Sequence, residues 1–224
     1  IWKKFLNLRM GKIYFIILSL IRSSKFFTQF IWGIKIDTKL HNTFWDLTTL
    51  VLKKEIINMK NKKNYLDMGC GQFAILGQYF KKNNPSSEVT SVDIYEKFVE
   101  NSINNSVLNK NDLKIKLSNL FSDIDEKFDL ITFNPPYVPS SKKKDKLEFP
   151  NIRYSELDGI KTTKDFLNEA KNFLIPEGEI LLGINTFYVP EKICAQVIID
   201  TGYNIKKITK MRFNTSIVFK INVI

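Results

Sequence analysis

Cysteine is nearly absent: Cys70 and Cys194 are the only two in 224 residues. That is too few for a secreted scaffold held by disulfides or a zinc site built from CxxC pairs, and it fits a reducing, cytoplasmic compartment. His41 is the single histidine, so any site that needs two imidazoles is excluded. Arginine is scarce too, with Arg9, Arg22, Arg153 and Arg212 standing against 30 lysines. The formal charge of +11 invites a nucleic-acid reading, yet base and phosphate recognition favours the planar guanidinium. Lysines solvated all round the fold are the competing explanation. No apolar run reaches the roughly 18 to 20 residues of a membrane span. The longest, residues 13–21, follows Lys3, Lys4, Arg9 and Lys12 and precedes Arg22 and Lys25, with no small-residue cleavage site after it. It is expected to be a helix packed on the domain, with a membrane-surface anchor as the alternative. The chain opens on Ile1 and not on Met, which leaves room for residues ahead of it.

What is present is a globular composition. Apolar residues make up 44% and charged residues 25%, enough to bury a sizeable core in one large or two small domains. Residues 30–39 alternate apolar and polar around Gly33 and read as a short strand or hairpin. Residues 44–59 carry Leu47, Leu50, Val51, Ile56 and Ile57 at helical spacing. From Asn64 onward strands alternate with helices: strands at 65–68, 89–93, 114–117, 130–133, 180–184, 205–211 and 216–221, and helices at 74–82, 95–108, 163–173 and 191–201. Repeated βα units predict an α/β fold, a Rossmann-like seven-stranded, mostly parallel sheet with helices on both faces. Residues 210–215 are too few for a crossover helix, so the last strand should run antiparallel. The chain divides into an N-terminal helical and hairpin extension, 1–42, and the α/β domain, 43–224.

Ligands in such sheets bind beyond the carboxyl ends of the strands. Three loops there stand out. Asp67-Met68-Gly69-Cys70-Gly71 follows the first strand, with glycines that allow a tight turn and close approach of a ligand to the backbone. The third glycine of a dinucleotide fingerprint is missing, which counts against NAD. Cys70 has no basic neighbour to activate it and reads as a small loop residue. Asp93, 22 residues after Gly71, closes the next strand, where a carboxylate can accept both hydroxyls of a ribose or cap the following helix through Asp93-Ile94-Tyr95-Glu96. The third loop is Asn134-Pro135-Pro136-Tyr137, directly after a buried strand. Two prolines fix its backbone, the Asn134 oxygen and the Pro135 carbonyl offer acceptors for one NH₂ group, and Tyr137 offers a face to a planar π system.

These motifs resemble the class I methyltransferases that use S-adenosylmethionine, and within them the Asn-Pro-Pro-Tyr group that methylates amide or amino nitrogen. The resemblance implies that Asp67, Gly69, Cys70 and Gly71 form the methionine-side loop, that Asp93 and Ile94 meet the ribose, and that Asn119 and Leu120 meet the adenine. It makes Asn134, Pro135, Pro136 and Tyr137 the catalytic motif, with Asn134 also touching the cofactor and no metal involved. Ser118-Asn119-Leu120-Phe121, the run through Val138-Pro139 and Glu156-Leu157-Asp158-Gly159 are most similar to the HemK-type protein glutamine methyltransferases. The implied partner is a glutamine-bearing protein such as a translation factor. RNA or DNA nucleobases, a small-molecule amine, and a cofactor-binding scaffold without catalysis are the alternatives. Gly71-Gln72-Phe73 and the short N-terminal region depart from that family. The connection 138–158, with its Lys142-Lys143-Lys144-Asp145-Lys146 run, is expected to rim the catalytic corner.

Overall fold

The computed structural model describes residues 9–37, 44–139, 154–155, 158–212 and 214–224. His41, the 42/43 boundary, Arg153, the lysine run 142–146, Glu156 and Leu157 lie outside them. Among the described residues three helices come first: α1 (Arg9–Arg22), α2 (Lys25–Trp32) and α3 (Leu47–Ile56). The βα series follows with β1 (Asn64–Met68), α4 (Ile75–Asn83), β2 (Glu88–Asp93), α5 (Glu96–Leu108), β3 (Lys114–Leu117) and β4 (Phe128–Phe133). A two-residue pair, β5 (Val138–Pro139) with β6 (Tyr154–Ser155), precedes α6 (Lys161–Ala170), β7 (Leu174–Asn185), α7 (Glu191–Asp200), β8 (Tyr203–Lys210) and β9 (Ser216–Val223).

Seven strands form one sheet in the order β3-β2-β1-β4-β7-β9-β8. The strands from β1 to β4 and β7 pair in parallel, while β9 runs antiparallel to both β7 and β8. The last strand is thus reversed as expected, and it lies between β7 and β8. The connection through α7 leaves one strand's width beside β7, and the short turn after β8 returns the chain into it.

Two apolar layers sandwich the sheet because successive strand residues face opposite ways. Leu66, Ile131 and Leu182 pack with Phe166, Leu167 and Ile198 of α6 and α7. Tyr65, Leu130 and Leu181 pack with Val51 and Leu52 of α3, Phe80 of α4 and Trp32 of α2. Gly183 lets α3 lie close on β7, since a Cβ there would stand 2.5 Å from Thr48 Cγ2 and 3.2 Å from Leu52 Cδ1.

Over its described part, residues 30–37, the strand or hairpin expected at 30–39 is not formed. Gly33 takes φ 65 as the left-handed C-cap of α2, and its N–H donates to the Gln29 carbonyl. The alternation beyond it is real, with Ile34 and Ile36 buried. However, the backbone partner of this segment is a row of side chains on α5. The N–H groups of Lys35 and Asp37 donate to Asn109 Oδ1 and Asn105 Oδ1, each at 2.8 Å, and the same two amides donate back to the Lys35 and Asp37 carbonyls. Asparagines four apart on a helix thus do the work of a neighbouring strand.

Candidate functional site

The parallel strands β1, β2, β3 and β4 end at one edge of the sheet and bring the three predicted loops together there. In the first, Gly69 and Gly71 take φ 63 and 67. A Cβ on Gly69 would stand 3.2 Å from the ring of Phe133, so this loop lies against the end of β4. A Cβ on Gly71 would meet nothing within 4 Å, which leaves open space beside its backbone. The turn is anchored from below and from the side. Asp67 accepts from the Gly77 N–H at 3.1 Å and the Thr132 hydroxyl at 3.2 Å. Ser102 and Asn101 of α5 donate to the carbonyls of Gly71 and Gln72. Burial pushes the Asp67 carboxyl up to about 7, against the pull of the Gly77 and Thr132 donors. Burial likewise raises the Cys70 thiol far above its usual range, which leaves it un-ionised and unfit as a nucleophile.

Asp93 joins the second loop to the first. One of its oxygens accepts from the Gly71 N–H at 2.8 Å and the other from the Tyr95 N–H at 3.1 Å. Burial raises its carboxyl above the ordinary range. The helix after it begins at Glu96 with Tyr95 as the cap residue, so Asp93 fixes the approach to α5 from two residues before the cap. Ile94 beside it is exposed. The Asp93 carbonyl accepts from the Ser118 N–H at 3.0 Å, which ties in the loop after β3. There Asn119 is exposed, and Leu120 takes φ 50 while its carbonyl accepts from the Ser118 hydroxyl.

The Asn134–Tyr137 corner sits at the end of β4, the central strand between β1 and β7. Its organiser is a residue that the sequence motifs do not single out: Asp46, the N-cap of α3. Asp46 and Thr49 form a capping box, in which Asp46 accepts from the Thr49 N–H at 2.7 Å. The same carboxylate accepts from Asn134 Nδ2 at 3.2 Å through Oδ1 and from the Tyr137 hydroxyl at 2.7 Å through Oδ2. The Asp46-x-x-Thr49 spacing advertises the cap in the sequence, but nothing local advertises contacts 88 and 91 residues away. Burial and the Asp46 charge hold the Tyr137 phenol well above its usual range. Its ring stacks on Tyr188 at 6.0 Å, and Gly159 presses on its carbonyl, where a Cβ would approach to 2.5 Å. Asn134 Oδ1 is buried and accepts no hydrogen bond; it faces Gly183 of β7. Pro135 is buried and Pro136 half-buried. The described ends of the connection expected to rim this corner, Val138–Pro139 and Tyr154–Ser155, pair with each other. Among the described residues no cluster of three His, Cys, Asp or Glu side chains is placed to hold a metal ion.

A seven-stranded sheet with one reversed strand and a Gly-rich turn at the carboxyl edge is the fold of the S-adenosylmethionine-dependent methyltransferases. More particularly, the chain belongs to the methyltransferase small domain family, which matches residues 42–207. It is 33% identical over 176 residues to a bifunctional methyltransferase of Rickettsia typhi, covering 73% of this chain and 33% of that one. It is 32% identical over 137 residues to ribosomal RNA small subunit methyltransferase C of Haemophilus influenzae, covering 58% and 35%. The chain thus spans about a third of the length of these two curated relatives. A Methanocaldococcus jannaschii protein provisionally named a protein N5-glutamine methyltransferase is 30% identical over 151 residues, covering 66% and 74%. Among solved structures, a Pyrococcus furiosus methyltransferase superposes with TM-score 0.65 at 19% identity, covering 94% and 96%. A further neighbour, TM-score 0.62 at 15% identity over 85% of this chain and 53% of that one, was crystallised with S-adenosylhomocysteine.

Proposed function

We propose that this chain transfers a methyl group from S-adenosylmethionine to a planar amide or amino nitrogen, with the side chain of a protein glutamine as the substrate. When bound, that cofactor supplies an electrophilic methyl group on a sulfonium. Gly69, Cys70 and Gly71 would line its methionine portion, Asp93 with Ile94 its ribose, and Asn119 with Leu120 its adenine. The open space beside Gly71 and the Asp93 carboxylate at the end of β2 support this arrangement.

The observation that carries the reading is the acceptor left over at the corner. Asn134 gives its NH₂ to Asp46 and keeps a buried oxygen without a donor. A buried acceptor costs stability until a donor arrives. An incoming amide NH₂ supplies two hydrogens, for Asn134 Oδ1 and the Pro135 carbonyl, and Tyr137 would hold the group flat. Both acceptors strengthen as positive charge grows on the nitrogen, so catalysis is by orientation and fixed dipoles with no dedicated base. Glutamine is preferred over a nucleobase because arginine is scarce and the Methanocaldococcus relative carries that name. The +11 charge and the ribosomal RNA methyltransferase relative favour the second reading, an amino group of RNA. The reading places the protein in the cytoplasm, in keeping with its two free cysteines.

The test is incubation with radiolabelled S-adenosylmethionine and a total lysate, followed by protease or nuclease. Label removed by protease alone is expected; label removed by ribonuclease moves the substrate to RNA. Asn134→Ala should abolish most transfer while calorimetry shows the cofactor bound as before, and Asp93→Ala should weaken cofactor binding roughly tenfold or more. Near-normal turnover of Asn134→Ala would make the corner structural.

A further inference from the structure

We propose that α1 and α2 form a docking face for the surface of an anionic lipid bilayer. Ile13, Ile16, Ile17 and Leu20 are 52–67% exposed, at the i, i+3, i+4, i+7 spacing that makes one stripe along a helix. On α2, Phe26 and Phe30 are four apart and 73% and 80% exposed. With Tyr14 and Phe27, eight of the twenty exposed large apolar side chains among the described residues fall between residues 13 and 30. A soluble surface rarely gathers so much apolar area in one place without a partner.

Charge decides which partner. Residues 1–36 contain seven basic side chains (Lys3, Lys4, Arg9, Lys12, Arg22, Lys25, Lys35) and no acidic one; the first carboxylate is Asp37. A second copy would bring an equal positive charge against this one. Nucleic acid would match the charge but leave isoleucine and phenylalanine rings against phosphate. An anionic leaflet satisfies both features at once, with apolar side chains in the acyl boundary and lysines among the headgroups. No helix of the described residues is long and apolar enough to cross a membrane. At 14 residues α1 spans about 21 Å against a hydrocarbon core of roughly 30 Å, so it would lie on the surface.

The face is coupled firmly to the site. Trp32, ending α2, is buried, with its ring 6.1 Å from that of Trp45 and 5.7 Å, edge-on, from that of Tyr79. Arg22 donates to the Trp45 carbonyl at 2.7 Å, and Thr28 accepts from the Trp45 indole. Trp45 immediately precedes Asp46, so docking would fix how the corner is presented to a substrate held at or near the membrane.

The experiment is flotation of the protein with phosphatidylcholine vesicles, alone or with about one part in three phosphatidylglycerol. Binding to the anionic vesicles, release by salt and little binding to the neutral ones are expected. Joint replacement Ile16→Ser, Leu20→Ser, Phe26→Ser and Phe30→Ser should lower partitioning at least about tenfold, and Lys3→Glu with Lys12→Glu by about tenfold. The serine variant should keep the wild-type Tm and cofactor affinity, because its serines replace exposed side chains outside the core. Absence of flotation on both vesicles, or equal flotation on both, would overturn the proposal. So would sedimentation showing a wild-type dimer that the serine variant dissolves, since the face would then belong to a second copy.

Discussion

The two halves of the candidate site are both held by carboxylates, but they are held differently. On the cofactor side Asp67 and Asp93 are buried, and their hydrogen bonds come mostly from backbone N–H groups, those of Gly77, Gly71 and Tyr95 among them. On the nucleophile side Asp46 is only half-buried and, beyond the Thr49 N–H of its own helix cap, grips side chains from another element, the Asn134 amide and the Tyr137 hydroxyl. The first arrangement fixes the course of the chain, so damage to it should register as lost stability. The second fixes rotamers on a backbone already stiffened by two prolines, so damage to it should register in the chemistry.

The largest effect that would break this comparison is the pH dependence of Asp67. Its carboxyl is raised to about 7 in the folded protein, whereas an unfolded aspartate titrates near 4. The native state therefore binds the proton more tightly than the unfolded chain does. The associated stability is complete below about pH 4 and lost as pH rises through about 7, an amount of up to about 4 kcal/mol. Asp67→Asn cannot ionise and can still accept from Gly77. Denaturant unfolding at about pH 5 and about pH 8 should show wild type losing ground to this variant as pH rises. Asp93, raised in the same direction, contributes to the slope of both. Parallel pH profiles would mean Asp67 ionises without penalty.

Next in size is Asp46→Ala. The loss of the cap should cost about 1 kcal/mol. The release of Asn134 and Tyr137 should cost turnover on the order of a hundredfold, as small misplacements of reacting groups do. A variant whose Tm falls steeply while turnover per folded molecule holds would reverse the contrast between the two halves.

How much of this was legible follows from sequence distance. The strand–loop–helix units were readable because each is written within about 30 residues: apolar strand, short loop, amphipathic helix. Asp93 to Gly71 spans 22 residues and follows the same local grammar. The place of β9 in the sheet was not readable, because a short turn specifies an antiparallel pair but not the slot the pair enters. The segment after Gly33 misled because alternation records one buried face without recording what pairs with the backbone, here Asn105 and Asn109. Asp46 was missed for a related reason: as a cap it is fully explained by Thr49, and its second role exists only once α3 packs on β7 at Gly183.

The smallest effect sharpens the comparison most. Tyr137→Phe removes the hydroxyl that donates to Asp46 and meets Thr48 at 3.2 Å, while Thr48 keeps its bond to Ser216 and the ring keeps its stack on Tyr188. Because Asp46 is half-buried, water can take the vacated position, so the cost should be about 1 kcal/mol in stability and a few-fold in turnover. If Asp46 acts through the two side chains it holds, the effects should not add. In the Asp46→Ala background the Tyr137 hydroxyl has already lost that acceptor, and its removal should change turnover by less than about twofold. Full additivity across this cycle would show that Asp46 and Tyr137 serve the corner separately, and that the 2.7 Å bond between them only packs α3 in place.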